Sequence, residues 1–392
     1  MEGFQKALTA FDSDHSPQGR VLRAGLNLVD TAGVDRVTVA AILDEAKVAR
    51  GTVYAHFGDV FGVFATAWSK LGAPWLKLMM TAPDDASMPS NYRSALVQIL
   101  CAARRAPVLN EVVRPDVEQV WSTLERTGSG SEIRAIWLLL MRLANDLSMP
   151  ILPEAVMLNP LLSSVSAMPD DYVDRYQMQG SISDLAQLPP VVSPFEAESD
   201  DITRRLMKAA VEVVSSSGLA SASMLRVCRS ARLTPGAATP RFKDLSALHD
   251  YAFSVSLADV VRQNSAVVAR TKELPISDQA AAISASSLAP QRSQWRRYRQ
   301  EFHIASMANP ELAATMRAAF TSTDTASSAA IRETGAPESL ISLMVLFTHV
   351  TAAGVGAVDD IGLPLAQIDY RPVLHWLLES MTGEPTYGDA QN

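Results

Sequence analysis

The sequence predicts an all-α protein, and three observations carry that prediction. Apolar residues recur at spacings of three and four, the period of an amphipathic helix, and the first half shows no strand-like alternation. Aromatic residues make up only 6% of the chain while alanine and leucine are abundant, a composition that favours helices. A helical pattern near the start of the chain also recurs 185 positions later.

Composition narrows the class of protein. A chain of 392 residues has room for two or three domains, and an apolar fraction of 48% is ample for large cores. Cys101 and Cys228 lie far apart without metal-ligand spacing, which fits a reduced cytoplasm. The start of the chain has no signal-peptide pattern, and no apolar run is expected to reach the roughly 18 residues that a membrane span needs. We therefore predict a cytoplasmic protein with no membrane partner.

Enzyme motifs are missing from the sequence. It contains no glycine-rich phosphate loop after a strand, no Gly-x-Ser-x-Gly elbow, no His-Glu-x-x-His and no Cys-x-x-Cys. We therefore predict a protein that is not an enzyme and that uses no cofactor and no metal. The net charge of −8 disfavours indiscriminate nucleic-acid binding, but it leaves room for a local basic surface.

The first domain, predicted at 16–60, consists of three short helices. Residues 1–15 show no clear period and are predicted to be an irregular lead-in. A helix begins at Pro17 and ends before Gly33, because glycine accepts the left-handed conformation that often ends a helix. The remaining predicted parts are an N-cap at Thr38, a turn at Ala46-Lys47-Val48 and a last helix from Arg50 to Phe57.

Longer helices follow, and we assign them to a larger helical domain at 61–179. A stretch rich in serine, proline and acid at 180–199 then predicts a linker, part of it extended because of Pro189-Pro190. The predicted helices of the larger domain cover about 59–80, 90–106, 109–127, 131–148 and 169–179.

The second half of the chain repeats the first. Without gaps, 20–59 aligns with 205–244, and eight of the 40 positions are identical. A gapless match that keeps the glycine stop, as Gly33 and Gly218, is strong evidence of an internal repeat. We therefore predict a degenerate second copy at 200–245 and a second larger domain at 246–383. Its predicted helices cover 291–308, 310–334, 338–356 and 370–381.

A set of residues in the first copy carries a resemblance to a known family. The set is Gly33, Thr38, Ile42, Ala46, Val48, Gly51-Thr52-Val53-Tyr54 and His56-Phe57. With them, each half resembles a subunit of the tetracycline-repressor (TetR) family of bacterial transcription regulators. The match is specific in the first half and degenerate in the second. The resemblance implies a helix-turn-helix DNA-binding domain followed by a larger regulatory domain that binds an apolar or amphipathic effector and dimerises.

The last helix of the first copy is predicted to read DNA. Small residues on its leading face allow close approach in a major groove about 12 Å wide, and Arg50 can reach guanine or a phosphate. The resemblance implies phosphate contacts by other residues, although Val60 stands where the family often has a lysine. Alternatives stay open: Gly51 can serve packing, Tyr54 can stack on its own domain, and Arg50 can be merely solvated. The predicted contact residues are Thr38, Arg50, Gly51, Thr52, Tyr54 and His56.

The second copy lacks parts of this reader but carries more positive charge. Pro235 replaces Arg50, Thr239 replaces Tyr54, and Pro240 should distort the last turn of its helix. Between 201 and 250 there are eight Lys or Arg against four Asp or Glu. A solvated face and a grip on DNA phosphates both explain this charge. The residues predicted to contact the DNA backbone are Arg226, Arg229, Gly236, Arg241 and Lys243.

Aromatic and sulfur side chains mark candidate positions of an effector pocket, although such residues more often serve plain core packing. The cluster Arg296-Arg297-Tyr298-Arg299 could pair with a carboxylate ligand, but we predict a surface salt-bridge face. The pocket candidates are Trp121, Trp137, Met141, Trp295, Tyr298, Phe302 and His303.

Two functional hypotheses follow. The first is a DNA-binding transcription regulator, a repressor tuned by a small effector, whose two halves form an intramolecular pseudo-dimer on a double-stranded operator. A further homodimer of such chains is left open. The second is a ligand-sensing or partner-binding module of the same fold that has largely given up DNA, because the chain is acidic and one reader is damaged.

Overall fold

The computed structural model describes residues 2–82, 90–125, 129–175, 193–289, 292–358, 361, 363, 365 and 368–382. Within these ranges the chain is helical and contains no strand, which confirms the all-α prediction. Residues 180–192 of the predicted linker (180–199) lie outside the described residues. The last residues of the linker, from 193 on, form turns.

The first half contains ten α-helices in the described ranges. They are α1 (Glu2–Asp12), α2 (Pro17–Ala32), α3 (Val39–Ala46), α4 (Arg50–His56), α5 (Val60–Thr81), α6 (Ser90–Ala103), α7 (Pro107–Glu125), α8 (Ser129–Ser148), α9 (Asn159–Ser166) and α10 (Tyr172–Arg175). A 3-10 helix, Pro153–Leu158, precedes α9.

The second half contains nine α-helices in the described ranges. They are α11 (Asp201–Ser217), α12 (Met224–Ser230), α13 (Pro235–Ala238), α14 (Leu245–Thr271), α15 (Ile276–Leu288), α16 (Ser293–Ser306), α17 (Pro310–Arg332), α18 (Glu338–Val358) and α19 (Arg371–Thr382). A 3-10 turn, Leu219–Ser221, follows α11.

The prediction of an irregular lead-in at 1–15 was wrong, because α1 forms there. Phe4, Leu8 and Phe11 lie on one face of α1, are buried, and belong to the main core. At the end of this helix the hydroxyl of Tyr92 donates a hydrogen bond to Asp12 over 2.6 Å. The helix therefore extends the core alongside α5.

Two uncommon backbone conformations recur at an offset of 185 residues. Lys47 and Arg232 have φ angles of 52° and 53°, and they are the non-glycine residues with positive φ in the described chain. Left-handed backbone is costly for residues with a Cβ, so its recurrence marks the same turn twice. Gly33 and Gly218 have φ angles of 87° and 83°, and each ends the first helix of its copy.

Side-chain caps recur at the same offset. Thr38 accepts a hydrogen bond from the backbone N–H of the third residue after it, as predicted, and Ser223 does the same in the second half. The next long helices, α5 and α14, are capped in this way by Asp59 and Asp244. An arginine of the first helix also reaches the end of the second helix in both halves, with Arg20 donating to the carbonyl of Ala46 and Arg205 to that of Ala231.

The larger helices of the two halves pack against each other, and α8 with α18 forms the most extensive contact. A Cβ atom built on Gly354 of α18 would lie 1.9 Å from the carbonyl oxygen of Leu140 on α8, so the two backbones touch there. Nearby, the rings of Trp137 and Phe347 stack with centroids 6.4 Å apart. Small residues such as glycine are what permit so close an approach.

Helix α18 corrects the expectation that no apolar run reaches the length of a membrane span. By length and composition alone it is apolar enough to cross a membrane, with a mean hydropathy of 1.8 over its most apolar window. Half of that window is buried, and α18 packs against α8, α16 and α17. These contacts are those of a core helix in a globular protein.

A buried ion network joins the first small domain to the second half. Glu301 of α16 is fully buried and pairs with Arg104 and Arg105 at the end of α6, the latter over 3.1 Å. Arg105 also pairs with Asp35, between α2 and α3, over 2.7 Å. Burial lowers the pKa of Arg105, but Glu301 and Asp35 raise it by more, so the net pKa is raised. This network ties the loop before α3 to α16.

Candidate nucleic-acid interface

Helix α4 is held on its domain by one face only. Val53 is fully buried, and Phe57, which follows the helix, packs partly buried against the same core. The helix contacts α2 and α3 and begins after the extended residue Ala49. All its other side chains are exposed or half-buried, so its outer face is open to a partner.

Arg50 and Tyr54 form a pair on that outer face. They are one helical turn apart, and the guanidinium carbon of Arg50 lies 5.6 Å from the centroid of the Tyr54 ring. Tyr54 keeps 50% of its surface exposed, so it does not stack on its own domain. Cation–π contact holds the arginine side chain along the helix, where its donors can address base edges or phosphates.

Gly51 has no packing role among the residues that the structure describes. A Cβ atom built at this position would meet no atom within 4 Å, and the residue is exposed. Glycine near the start of a helix costs about 1 kcal/mol relative to alanine, and no contact inside the described chain offsets that cost. Packing therefore does not explain the glycine. A small residue at this position would instead let another molecule approach the helix closely.

The remaining predicted contact residues border the same face. Thr38 is exposed, and its hydroxyl oxygen already accepts from Ala41 over 3.1 Å, which leaves its proton to donate. Thr52 is half-buried. His56 is exposed, and its Nε2 lies 3.2 Å from the amide nitrogen of Gln18, so it tethers the end of α4 to α2.

The second copy has a shorter last helix. Helix α13 ends at Ala238, two residues before Pro240, whereas α4 continues to His56. The hydroxyl of Thr239 turns back to the carbonyl of Pro235 over 3.1 Å. This copy therefore has no pair of long side chains that corresponds to Arg50 and Tyr54.

The basic residues of the second copy divide into two groups. Arg226, Arg229 and Lys243 are exposed. Arg241 is also exposed, but it forms a bidentate ion pair with Asp200, the N-cap of α11, with one contact at 3.0 Å. Hydrogen bonding from Arg241 holds the pKa of Asp200 well below its usual range. Arg241 thus tethers α13 to α11, much as His56 tethers α4 to α2.

Gly236 resembles its counterpart Gly51. It is exposed, and a Cβ atom built there would meet only the Thr234 hydroxyl, at 3.9 Å. Close approach to an external surface is thus open to both copies, although only the first has long side chains on the helix that follows.

A cavity of about 120 Å³ lies where the larger helices of the two halves meet. Trp137 and Met141 of α8 line one side, and helices α14 to α19 supply the rest. The other pocket candidates lie outside it. Trp295 packs edge-on against Phe195, Tyr298 packs against Phe302, His303 Nδ1 lies 3.2 Å from the carbonyl of Leu147, and Trp121 packs partly buried against the core.

The prediction of a surface salt-bridge face at 296–299 was wrong. Arg296 and Tyr298 are buried, and Arg299 lines the cavity. Two other polar lining residues, Asn264 and Tyr370, were missed as well. Each lies in a different helix or loop, so no local pattern in the sequence brings them together.

Comparisons with known proteins identify the small domain. Residues 21–59 match the family model described as bacterial regulatory proteins, tetR family. Two relatives from Mycobacterium tuberculosis and one from Mycobacterium bovis are each described as an uncharacterized HTH-type transcriptional regulator. Each is 34% identical over 119 residues, which is 29% of this chain and 59% of the relative. The chain thus spans less than two thirds of the length of these relatives, and it carries a TetR-type helix-turn-helix within an all-α fold.

Proposed function

We propose that the protein is a DNA-binding transcription regulator, a repressor whose grip on its operator is tuned by a small effector. The observation that carries this proposal is the outer face of α4, where Arg50 and Tyr54 stand exposed beside a glycine that has no packing role. A helix with this surface fits a major groove, and the matched family model covers it.

The two halves act as an intramolecular pseudo-dimer of TetR-like units. The repeat supports this arrangement through its recurring caps and left-handed turns, and α8 with α18 supplies a contact between the halves. We place the units at 16–179 and 200–383, with DNA-binding domains at 16–60 and 200–245. The first copy reads sequence, while Arg226, Arg229 and Lys243 of the second hold phosphates. Whether two chains associate further is a separate question of oligomeric state.

Helix α16 couples the effector to the DNA reader. Arg299 lines the cavity, whereas Glu301 joins the ion network that reaches Asp35. These two residues are separated by about 200° around the helix axis, so they face opposite sides of α16. A ligand that favours one position of α16 thereby shifts the balance between two pre-existing positions of the first reader.

The proposal is tested by capturing genomic DNA fragments with the purified cytoplasmic protein and sequencing them. Enrichment of a shared sequence at physiological salt supports a regulator with an operator. No binding to any fragment even at low salt, where phosphate contacts are strongest, would favour a partner-binding module that has lost DNA.

Replacing Gly51 with leucine separates DNA contact from folding. We expect operator affinity to fall about tenfold or more, because the side chain blocks close approach and costs at least one base contact. The free energy of unfolding should not fall, since the added Cβ meets no atom within 4 Å, the residue is exposed, and leucine is a better helix former. Fluorescence anisotropy and chemical denaturation measure the two quantities.

Gly3→Leu is the matched control, because Gly3 is also an exposed helical glycine whose added Cβ would meet nothing. It should leave operator affinity unchanged and should not lower the free energy of unfolding. Unaltered operator binding by Gly51→Leu would remove α4 from the interface.

A further inference from the structure

The cavity between the two halves is lined mainly by apolar side chains. Its walls include Leu140, Ile283 and Leu374, and two smaller cavities of about 40 and 50 Å³ share wall residues with it. An engineered cavity of roughly 150 Å³ binds benzene. The space therefore suits one small apolar body with room to extend.

One positively charged side chain lines this mainly apolar cavity. Arg299 lines both the main cavity and the smaller one of about 40 Å³. Its Nε atom is buried and makes no hydrogen bond, and no ion pair joins it to another residue in the described part of the chain. Burial, followed by the neighbouring charges of Arg296 and Arg292, lowers the pKa of Arg299 to about 10. At neutral pH the half-buried side chain is thus a positive charge, with its Nε buried, that no described residue balances with an ion pair.

Two neutral polar groups accompany it. The Oδ1 atom of Asn264 and the hydroxyl of Tyr370 are buried, lack hydrogen-bond partners among the described residues, and belong to residues that line the same cavity. Buried polar groups are normally satisfied, so several unsatisfied ones around a single cavity indicate a ligand that supplies their partners.

We infer that the cavity binds a small apolar carboxylate, with an aromatic or medium-chain body, whose anionic group pairs with Arg299. The guanidinium matches a carboxylate geometrically, because two parallel N–H donors face two oxygens. The apolar body then lies along the walls formed by Leu140, Ile283 and Leu374. This inference rests on the proposed function only in taking the cavity as the effector site.

The carboxylate itself is tested on the full chain without DNA. Titration calorimetry with 3-phenylpropanoate and octanoate should show one site per chain, and 3-phenylpropanol and 1-octanol should bind about tenfold more weakly or worse. Equal affinities for acids and alcohols, or no binding by either acid, would overturn the inference.

The role of Arg299 is tested by Arg299→Met, which keeps the length of the side chain and removes its charge. We expect affinity for the carboxylates to fall about tenfold or more while affinity for the alcohols persists. The ligand-free variant should melt no lower than the wild type, because a half-buried charge that no ion pair compensates has been removed. A lower melting temperature, or unchanged carboxylate affinity, would show that Arg299 does not serve the ligand.

Arg262→Met is the matched control, since Arg262 is exposed on α14, a helix that also lines the cavity. It should leave carboxylate affinity unchanged. Adding operator DNA afterwards separates the two proposals. Carboxylates that bind but do not alter DNA affinity leave this inference standing and contradict only the proposed regulation by the effector.

Discussion

Replacing Glu301 with glutamine is expected to lower the free energy of unfolding by about 3–5 kcal/mol, because it leaves the buried Arg104 without its counter-charge and Arg105 with Asp35 alone. Arg104 and Arg105 both contact Glu301, whose side chain is fully buried, and both are themselves almost fully buried. Chemical denaturation measures the loss. Because Arg105 also holds Asp35 beside the first reader, the same change should weaken the coupling between effector and operator.

An exposed ion pair provides the control. Glu338 pairs with Arg332 over 2.7 Å, but both side chains remain more than half exposed. Surface pairs contribute little, so Glu338→Gln should leave the unfolding free energy unchanged. Equal effects of the two substitutions would show that the Glu301 network is not a stabilising link between the halves.

Replacing Gly354 with leucine should force α8 and α18 apart, at a cost of about 3 kcal/mol in unfolding free energy, the upper end for an overpacked core. The neighbour at 1.9 Å is the carbonyl oxygen of Leu140, a backbone atom that cannot move aside without bending α8. Ala144 crowds the same point, with its Cβ at 2.9 Å. Thermal and chemical denaturation measure the loss.

Gly51→Leu serves here as the matched helical substitution, because Gly51 is exposed and its added Cβ meets no atom within 4 Å. Its unfolding free energy should stay at or above that of the wild type. If Gly354→Leu were equally harmless, the two halves would not pack through α8 and α18 in solution.

The sequence predicted the helices that have strong local signals. The N-cap at Thr38, the stop at Gly33 and the ends of α5, α8 and α17 depend on neighbouring residues, and the observed bounds differ by a few residues at most. Helix α1 also had a local signal, since Phe4, Leu8 and Phe11 are spaced as one helical face. The stripe is short and surrounded by polar residues, so it is a weak signal in the sequence.

Contacts between distant segments could not be predicted in the same way. Helix α16 is strongly polar in sequence, with four arginines between 292 and 299, and such a pattern is typical of a solvated face. The structure buries Arg292 and Arg296 instead, because α16 lies between α6, α8, α11 and α18. The pairing of Glu301 with Arg104, almost 200 residues away, decides this placement, and no local period reports it.

The outer face of α4 could be predicted only in part from the sequence. The sequence indicated which residues of α4 point outward, because Val53 and Phe57 fix the buried side by their spacing. It could not decide between packing and open space at Gly51, or between a free and a paired role for Arg241. Both answers depend on which side chains of other segments come near.

Footprinting on a captured operator tests the central claim most directly, together with the number of chains bound per site. We predict one chain covering two adjacent half-sites about 10–10.5 base pairs apart, with only one half-site conserved in sequence. Arg50→Ala should abolish protection at the conserved half-site, whereas Arg229→Ala should weaken binding to all sequences alike and reduce its salt dependence. A perfect palindrome bound by two chains, with both half-sites equally sensitive to Arg50→Ala, would contradict a single chain with one sequence reader.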